Sequence, residues 1–145
     1  MPLSKRWYFD PGSGEKKIPE GVKHDIVKRI EDVAEKHFKG KYTLLDIRFK
    51  GQFCYIYAYE EPEVNEGWPP EDWPETREEY IERLRNTPVH LCRLRYFGND
   101  EWSYAFFTYS HDKYELCVFP DGSFFGKPED AFLSAANLYL GGKSD

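Results

Sequence analysis

The segment from His90 to Ser110, HLCRLRYFGNDEWSYAFFTYS, constrains the fold more than any other part of the chain. It predicts two strands joined by a turn at Gly98-Asn99-Asp100, and a turn this short joins only antiparallel strands. Other short turns are predicted at Lys50-Gly51 and directly after Ser110. The predicted strands cover residues 42–49, 52–60, 90–97, 102–110 and 114–119. The pattern therefore favours one antiparallel sheet of about five strands.

Three helices are predicted around these strands. The first covers residues 19–38, where apolar residues recur at intervals of three and four. The second begins at a capping box, with Thr76 as N-cap and Glu79 at the third helical position, and continues to about Arg85. The third begins at Pro128, a residue favoured at the first position of a helix. The order α-β-β-α-β-β-β-α indicates an α+β fold with helices packed mainly on one sheet face.

The length of 145 residues predicts a single domain covering 1–145. Within it we expect an aromatic arm at residues 1–17, an acidic loop rich in proline and tryptophan at 60–75, and a tail at 141–145. Residues 60–82 contain ten acidic residues and one basic residue, Arg77, while the remainder of the chain has 19 bases and 16 acids. Residues 60–82 are therefore strongly acidic, whereas the remainder of the chain is mildly basic. This asymmetry of charge affects which partners the protein attracts, not which fold it adopts.

Composition also restricts the compartment. The chain has no apolar run near 18 residues, so no membrane contact is predicted, and its first residues do not resemble a signal peptide. The three cysteines, Cys54, Cys92 and Cys117, are spaced unlike any zinc or redox motif. They are expected to be buried free thiols in a reducing cytoplasm.

Three stretches, RFKGQFCYIYAY, LCRLRYFGND and KYELCVFPDGSFFGKPEDAF, resemble a group of small uncharacterised prokaryotic proteins. The resemblance covers most of the chain beyond the first 20 residues. Because no activity is attached to that group, it implies no functional residue here.

The predicted sheet has enough aromatic and basic residues for a second, functional face. Because residues at i and i+2 of a strand share a face, we assign one set to the core: Leu45, Ile47, Phe49, Cys54, Ile56, Ala58, Cys92, Leu94, Ala105, Phe107, Leu116 and Val118. The opposite face then carries the candidate binding residues Arg48, Tyr55, Tyr57, Arg93, Arg95, Trp102 and Tyr104. A bulge in any strand would reverse part of this assignment.

Three interpretations of this face remain open. It could be covered from within the chain, by the Trp7-Tyr8-Phe9 arm, by the loop holding Trp68 and Trp73, or by the second helix. It could bind a partner protein or a second copy of the chain, since Tyr, Trp, Phe and Arg are enriched at interfaces. It could also stack the bases of single-stranded nucleic acid while its cations contact phosphate.

The acidic loop has two interpretations of its own. A solvated run of charge is the simpler one. Alternatively Trp68 and Trp73 contact the basic sheet face or a basic partner, or the acidic loop imitates the charge of nucleic acid.

Catalytic motifs are absent from the sequence, and we predict no catalytic residue, no metal site and no cofactor. Asp46, His90, His111 and Asp112 are the first residues to test if an activity exists. The sequence therefore favours a non-enzymatic binding module whose partner is a protein or a second copy. Single-stranded nucleic-acid binding is the first alternative, and an enzyme with an unrecognised site is the second.

Overall fold

The computed structural model describes residues 17–140. The predicted Trp7-Tyr8-Phe9 arm and the tail at 141–145 lie outside the described residues. The described elements are α1 (Glu20–Phe38), β1 (Leu44–Lys50), β2 (Phe53–Tyr59), α2 (Arg77–Arg85), β3 (Val89–Tyr96), β4 (Trp102–Thr108), β5 (Lys113–Cys117) and α3 (Pro128–Tyr139). This order confirms the predicted α+β fold.

The five strands form one antiparallel sheet in the order β1-β2-β3-β4-β5, so each strand pairs with its neighbour in the chain. Three of the four connections are short turns, which join antiparallel neighbours, whereas the β2–β3 connection contains the acidic loop and α2. The β1–β2 turn uses Gly51 at φ +62°, a backbone conformation that costs glycine little.

Local signals explain where the helices begin and end. At α2 both halves of the capping box are present: the Thr76 hydroxyl accepts from the Glu79 amide at 3.1 Å, and the Glu79 carboxylate accepts from the Thr76 amide at 3.0 Å. Helix α3 begins at Pro128 as predicted. Helix α1 is followed by Gly40 at φ +83°, which suits the residue just past a helix end.

The hydrophobic core lies between the sheet and the helices α1 and α3. Ile26 and Ile30 of α1 and Phe132 of α3 are completely buried. Phe132 meets Phe38 edge to face, with ring centroids 5.9 Å apart. The sheet contributes fully buried residues from β2 and β3, namely Cys54, Ile56, Ala58, Leu91, Cys92 and Leu94.

The three cysteines predicted to be buried free thiols lie in or beside this core. Cys54, Cys92 and Cys117 are free thiols; Cys54 and Cys92 are buried as predicted, whereas Cys117 is only partly buried. Burial raises the pKa of all three thiols, so they stay protonated and behave as small apolar side chains.

The face assigned to β4 and β5 is wrong. The β3–β4 register places Trp102 opposite Tyr96 and Tyr104 opposite Leu94, so both rings lie on the helix-covered face. Trp102 is 0% exposed and Tyr104 is 3% exposed. Ala105 and Leu116, which were assigned to the core, lie on the opposite face instead. Ala105 pairs with Arg93, and Leu116 pairs with Ala105.

Polar partners allow these two large rings to be buried. The Trp102 indole nitrogen donates to the Asp100 carboxylate at 3.2 Å, and the Tyr104 hydroxyl donates to the Val118 carbonyl at 2.9 Å. Burying either polar group without such a partner would be costly.

Candidate functional site

The candidate site is the sheet face turned away from α1 and α3, called the outer face below. The strand registers bring the following side chains to it: Asp46, Arg48, Lys50, Phe53, Tyr55, Tyr57, His90, Arg93, Arg95, Ser103, Ala105, Phe107, Tyr114 and Leu116. Five of the seven predicted binding residues are among them, and Trp102 and Tyr104 are not.

Arg93 lies near the centre of the outer face, between two aromatic rings. Its guanidinium carbon is 4.8 Å from the centroid of Phe53 and 5.2 Å from that of Tyr114. Its neighbours across the strands are Tyr55 and Ala105. None of the ion pairs found among residues 17–140 involves Arg93, so no described carboxylate neutralises it.

Arg95 lies on the same face but is only 8% exposed. Its guanidinium contacts the rings of Phe53 and Phe97 at 5.7 and 5.1 Å. Its cross-strand neighbour Ser103 is also buried. Because so little of Arg95 is exposed, a ligand on the outer face has little access to its side chain.

Five rings on the outer face form a continuous group, called the ring cluster: Tyr55, Tyr57, His90, Phe107 and Tyr114. His90 stacks on Phe107 with centroids 4.4 Å apart and an interplanar angle of 24°. Tyr57 meets His90 edge to face at 5.0 Å, and Tyr114 meets Phe107 and Tyr55 in the same way at 5.2 and 5.8 Å. The rings of the cluster, which belong to β2, β3, β4 and β5, therefore pack against one another.

A β-bulge places His90 in the ring cluster. In the β2–β3 register Ile56 pairs with Cys92 while Tyr57 pairs with His90, so Leu91 is an extra residue. The extra residue turns His90 to the face of Tyr57, while Leu91 and Cys92 are both buried. The adjacent apolar pair Leu91-Cys92 was the only sign of this bulge in the sequence.

The environment of the ring cluster shifts two pKa values. Burial lowers the pKa of His90, which favours the neutral imidazole, although the negative charge of Asp112 opposes this shift. Burial raises the pKa of Tyr114, which keeps the phenol protonated. The cluster is therefore an uncharged aromatic surface at neutral pH.

Arg48 adds an exposed cation beside the ring cluster. Its guanidinium carbon lies 5.4 Å from the centroid of Tyr57, and its Nη2 is 2.8 Å from the Asp46 carboxylate. Hydrogen bonds to Asp46 are the main reason that the pKa of Arg48 is raised.

The acidic loop between β2 and α2 is held by basic residues of α2. Arg77 donates to the carbonyls of Asn65 and Trp68 at 2.9 and 2.6 Å. Arg85 pairs with Glu61 at 2.6 Å, and Arg83 pairs with Glu75 at 2.7 Å. Part of the acidic charge is thus neutralised locally.

Trp68 and Trp73 pack in this loop and on α2. Their ring centroids are 5.5 Å apart, and Trp73 meets Tyr80 of α2 edge to face at 6.3 Å. The described ring contacts of both tryptophans stay within the loop and α2. Trp68 and Trp73 are also substantially exposed, which leaves their predicted role in contacting a partner open.

The four residues named for catalytic testing do not form one described cluster. Asp46 is bound by Arg48, and His111 pairs with Glu115 at 2.6 Å in the exposed β4–β5 turn. His90 belongs to the ring cluster. Among residues 17–140 no three His, Cys, Asp or Glu side chains are placed to share a metal ion.

A groove of about 1020 Å³ lies where the ends of α1, β2, α2 and α3 meet, and Tyr109 in its lining contacts the rings of His90 and Phe107. Its described lining includes Glu60, Glu63, Leu84 and Val89, but no histidine, cysteine or serine. Its two threonine hydroxyls, of Thr43 and Thr87, donate to the main-chain carbonyls of Tyr59 and Arg83.

Comparison of the chain with family models, with curated proteins and with solved structures gives no match. Within residues 17–140 every helix is too short or too polar to cross a bilayer. A function for this chain must therefore be argued from its own residues.

Proposed function

We propose that the protein is a non-enzymatic binding module that contacts a partner protein through its outer face. The contact residues are Arg48, Tyr55, Tyr57 and Arg93, together with the neighbouring rings of the ring cluster. Free cysteines are consistent with a cytoplasmic location, which is part of the same proposal.

The observation that carries the proposal is the environment of Arg93. A guanidinium between Phe53 and Tyr114, without a described carboxylate partner, is held in one orientation and keeps its hydrogen-bond donors for a ligand. Arginine and tyrosine supply a large share of the binding energy at protein interfaces. A carboxylate of a partner could bind this fixed guanidinium in the two-point geometry that arginine favours.

The orientation of the rings favours a protein over single-stranded nucleic acid. Base stacking requires an open ring face. In the ring cluster Tyr57 contacts His90 on one side and Arg48 on another, while His90 and Phe107 cover each other. A protein side chain can pack against such edges and corners, whereas a planar base gains less from them.

A comparison of two matched arginine variants tests the proposal. Arg93→Ala removes a guanidinium from the outer face, and Arg83→Ala removes one that lies 5.2 Å from the Tyr80 ring on α2. Both variants lose one positive charge, while Arg93→Ala loses two cation–π contacts and Arg83→Ala loses one, together with its ion pair to Glu75. In quantitative affinity capture, proteins that bind the unmodified chain should be lost with Arg93→Ala and retained with Arg83→Ala.

Identical capture by the two variants would contradict the proposal. The nucleic-acid alternative is tested in parallel by fluorescence anisotropy with a random single-stranded RNA. Binding that weakens steeply with salt and is lost with Arg93→Ala would favour nucleic acid instead.

A further inference from the structure

The strand β1 is an edge of the sheet and has a continuous seven-residue register with β2 from Leu44 to Lys50. No bulge interrupts it. An edge strand of this length and regularity offers unpaired backbone groups that can pair with another strand.

The β1–β2 turn determines which residues direct these groups outward. Lys50 pairs with Phe53 across the two-residue turn Gly51-Gln52. In such a hairpin the residues flanking the turn exchange hydrogen bonds, and the pattern then alternates along the strand. Leu45, Ile47 and Phe49 therefore direct their N–H and C=O groups to the free edge.

The same three side chains lie on the core face and are only partly buried, whereas their partners on β2 are completely buried. Beside them a shallow groove of about 490 Å³ separates β1 from the exposed side of α1, with Val27 and Phe49 in its lining. The apolar surface at this edge is thus incompletely covered by the described chain.

We propose that β1 pairs antiparallel with β1 of a second copy, with the two-fold axis at Ile47. In this register Asp46 faces Arg48 of the second copy, and Arg48 faces its Asp46. On the other side of the sheet Leu45 faces Phe49 of the second copy, so an apolar pair covers each half of the junction. Leu44 faces Lys50, and no two like charges meet directly.

Charges on an edge strand commonly deter pairing. Here the charges of β1 face opposite charges of the second copy only when the two-fold axis lies at Ile47. A two-fold axis at Phe49 would place Arg48 opposite Lys50, and an axis at Leu45 would place Asp46 opposite Leu44. An axis at Asp46 or Arg48 would place like charges together and would use backbone groups already bonded to β2.

The pairing would join two five-stranded sheets into one, with their outer faces side by side. Arg48 and Tyr57 of each copy would then lie near the two-fold axis. This inference rests on the geometry of β1 and stands or falls separately from the proposed partner of the outer face.

Two charge-reversed variants test the register. Arg48→Asp places acids at both positions 46 and 48 of β1, and Asp46→Arg places bases at both. Light scattering coupled to size exclusion should give a dimer for the unmodified chain and a monomer for each variant alone. An equimolar mixture should form a 1:1 heterodimer, because acids then face bases at both positions.

Lys113→Asp, on the opposite edge strand β5, is the control and should remain a dimer. A monomeric unmodified chain at every concentration, a variant that still dimerises alone, or a mixture that stays monomeric would overturn the proposal.

Hydrogen exchange of the unmodified chain gives a second test that needs no substitution. Protection of the Leu45, Ile47 and Phe49 amides should rise with concentration, and unchanged protection would overturn the proposal.

Discussion

Arg29 of α1 binds Glu129 of α3 through two hydrogen bonds, from Nε at 2.8 Å and from Nη2 at 2.6 Å. The same guanidinium also reaches Asp100 in the β3–β4 turn at 2.9 and 3.1 Å. One side chain therefore connects both core-covering helices to the turn that sets the β3–β4 register. Asp100 also accepts from the buried Trp102, so the network extends into the core.

Arg29→Met should lower the free energy of unfolding by about 1–2 kcal/mol, because two partly buried carboxylates lose their shared donor. Lys28→Met is a matched control, since Lys28 pairs with Asp32 on the exposed side of the same helix. That control should change stability by less than about 0.5 kcal/mol. Urea denaturation measures both, and equal effects would show that the Arg29 network does not stabilise the fold.

Trp102→Ala should lower the free energy of unfolding by about 3–5 kcal/mol, because it leaves a large cavity on the helix-covered face of the sheet. Trp73→Ala should cost about 1 kcal/mol or less, because Trp73 is 38% exposed and packs only in the acidic loop and on α2 among described residues. Chemical denaturation of both variants compares them. A small effect at Trp102 would contradict its place in the core.

The strands, helices and capping box could be predicted from local patterns because each depends on nearby residues. Thr76 and Glu79 bond each other directly, and three short turns specify the antiparallel pairs β1–β2, β3–β4 and β4–β5. The face of β4 depends on more distant information. In the segment Trp102–Thr108 both alternate sets contain aromatic residues, so hydrophobicity alone did not distinguish the buried set from the outer one.

The composition of the outer face depended on long-range register in the same way. Arg48, Tyr55 and Tyr57 follow from alternation within β1 and β2, and Arg93 follows from alternation within the part of β3 beyond the bulge. His90 reaches the face only through the bulge at Leu91, and Phe107 and Tyr114 reach it through the register that the sequence assignment reversed. Register and bulges are set by pairing between strands, which a single segment does not specify.

Gly126→Ala should destabilise the fold by about 1–3 kcal/mol, the usual cost of forcing an extra methyl group into a packed site. A Cβ at Gly126 would lie 2.6 Å from the ring of Phe119, which is itself buried. Gly21→Ala is the control, because a Cβ at Gly21 in the first turn of α1 meets nothing within 4 Å. The control should stabilise by about 0.5 kcal/mol. Thermal unfolding should move the two midpoints in opposite directions.

Stability should fall between pH 7.5 and 5.5 partly because of His90. Burial lowers its pKa in the folded protein below the ordinary value of 6.5, so the unfolded chain takes up the proton first as the pH falls. More protons on the unfolded chain mean that the free energy of unfolding decreases with decreasing pH. The stabilising contribution is therefore present above the unfolded pKa and is lost as the pH falls toward the folded value.

His90→Phe isolates this contribution, because it keeps an aromatic ring against Phe107 and removes the titrating group. Denaturant unfolding at half-unit steps of pH should show a shallower decline for His90→Phe than for the unmodified chain. Near-ultraviolet circular dichroism at pH 8 checks that the ring cluster is still packed in the variant. Parallel declines across this range would mean that His90 takes up its proton equally in the folded and unfolded chains, which is inconsistent with its burial in the ring cluster.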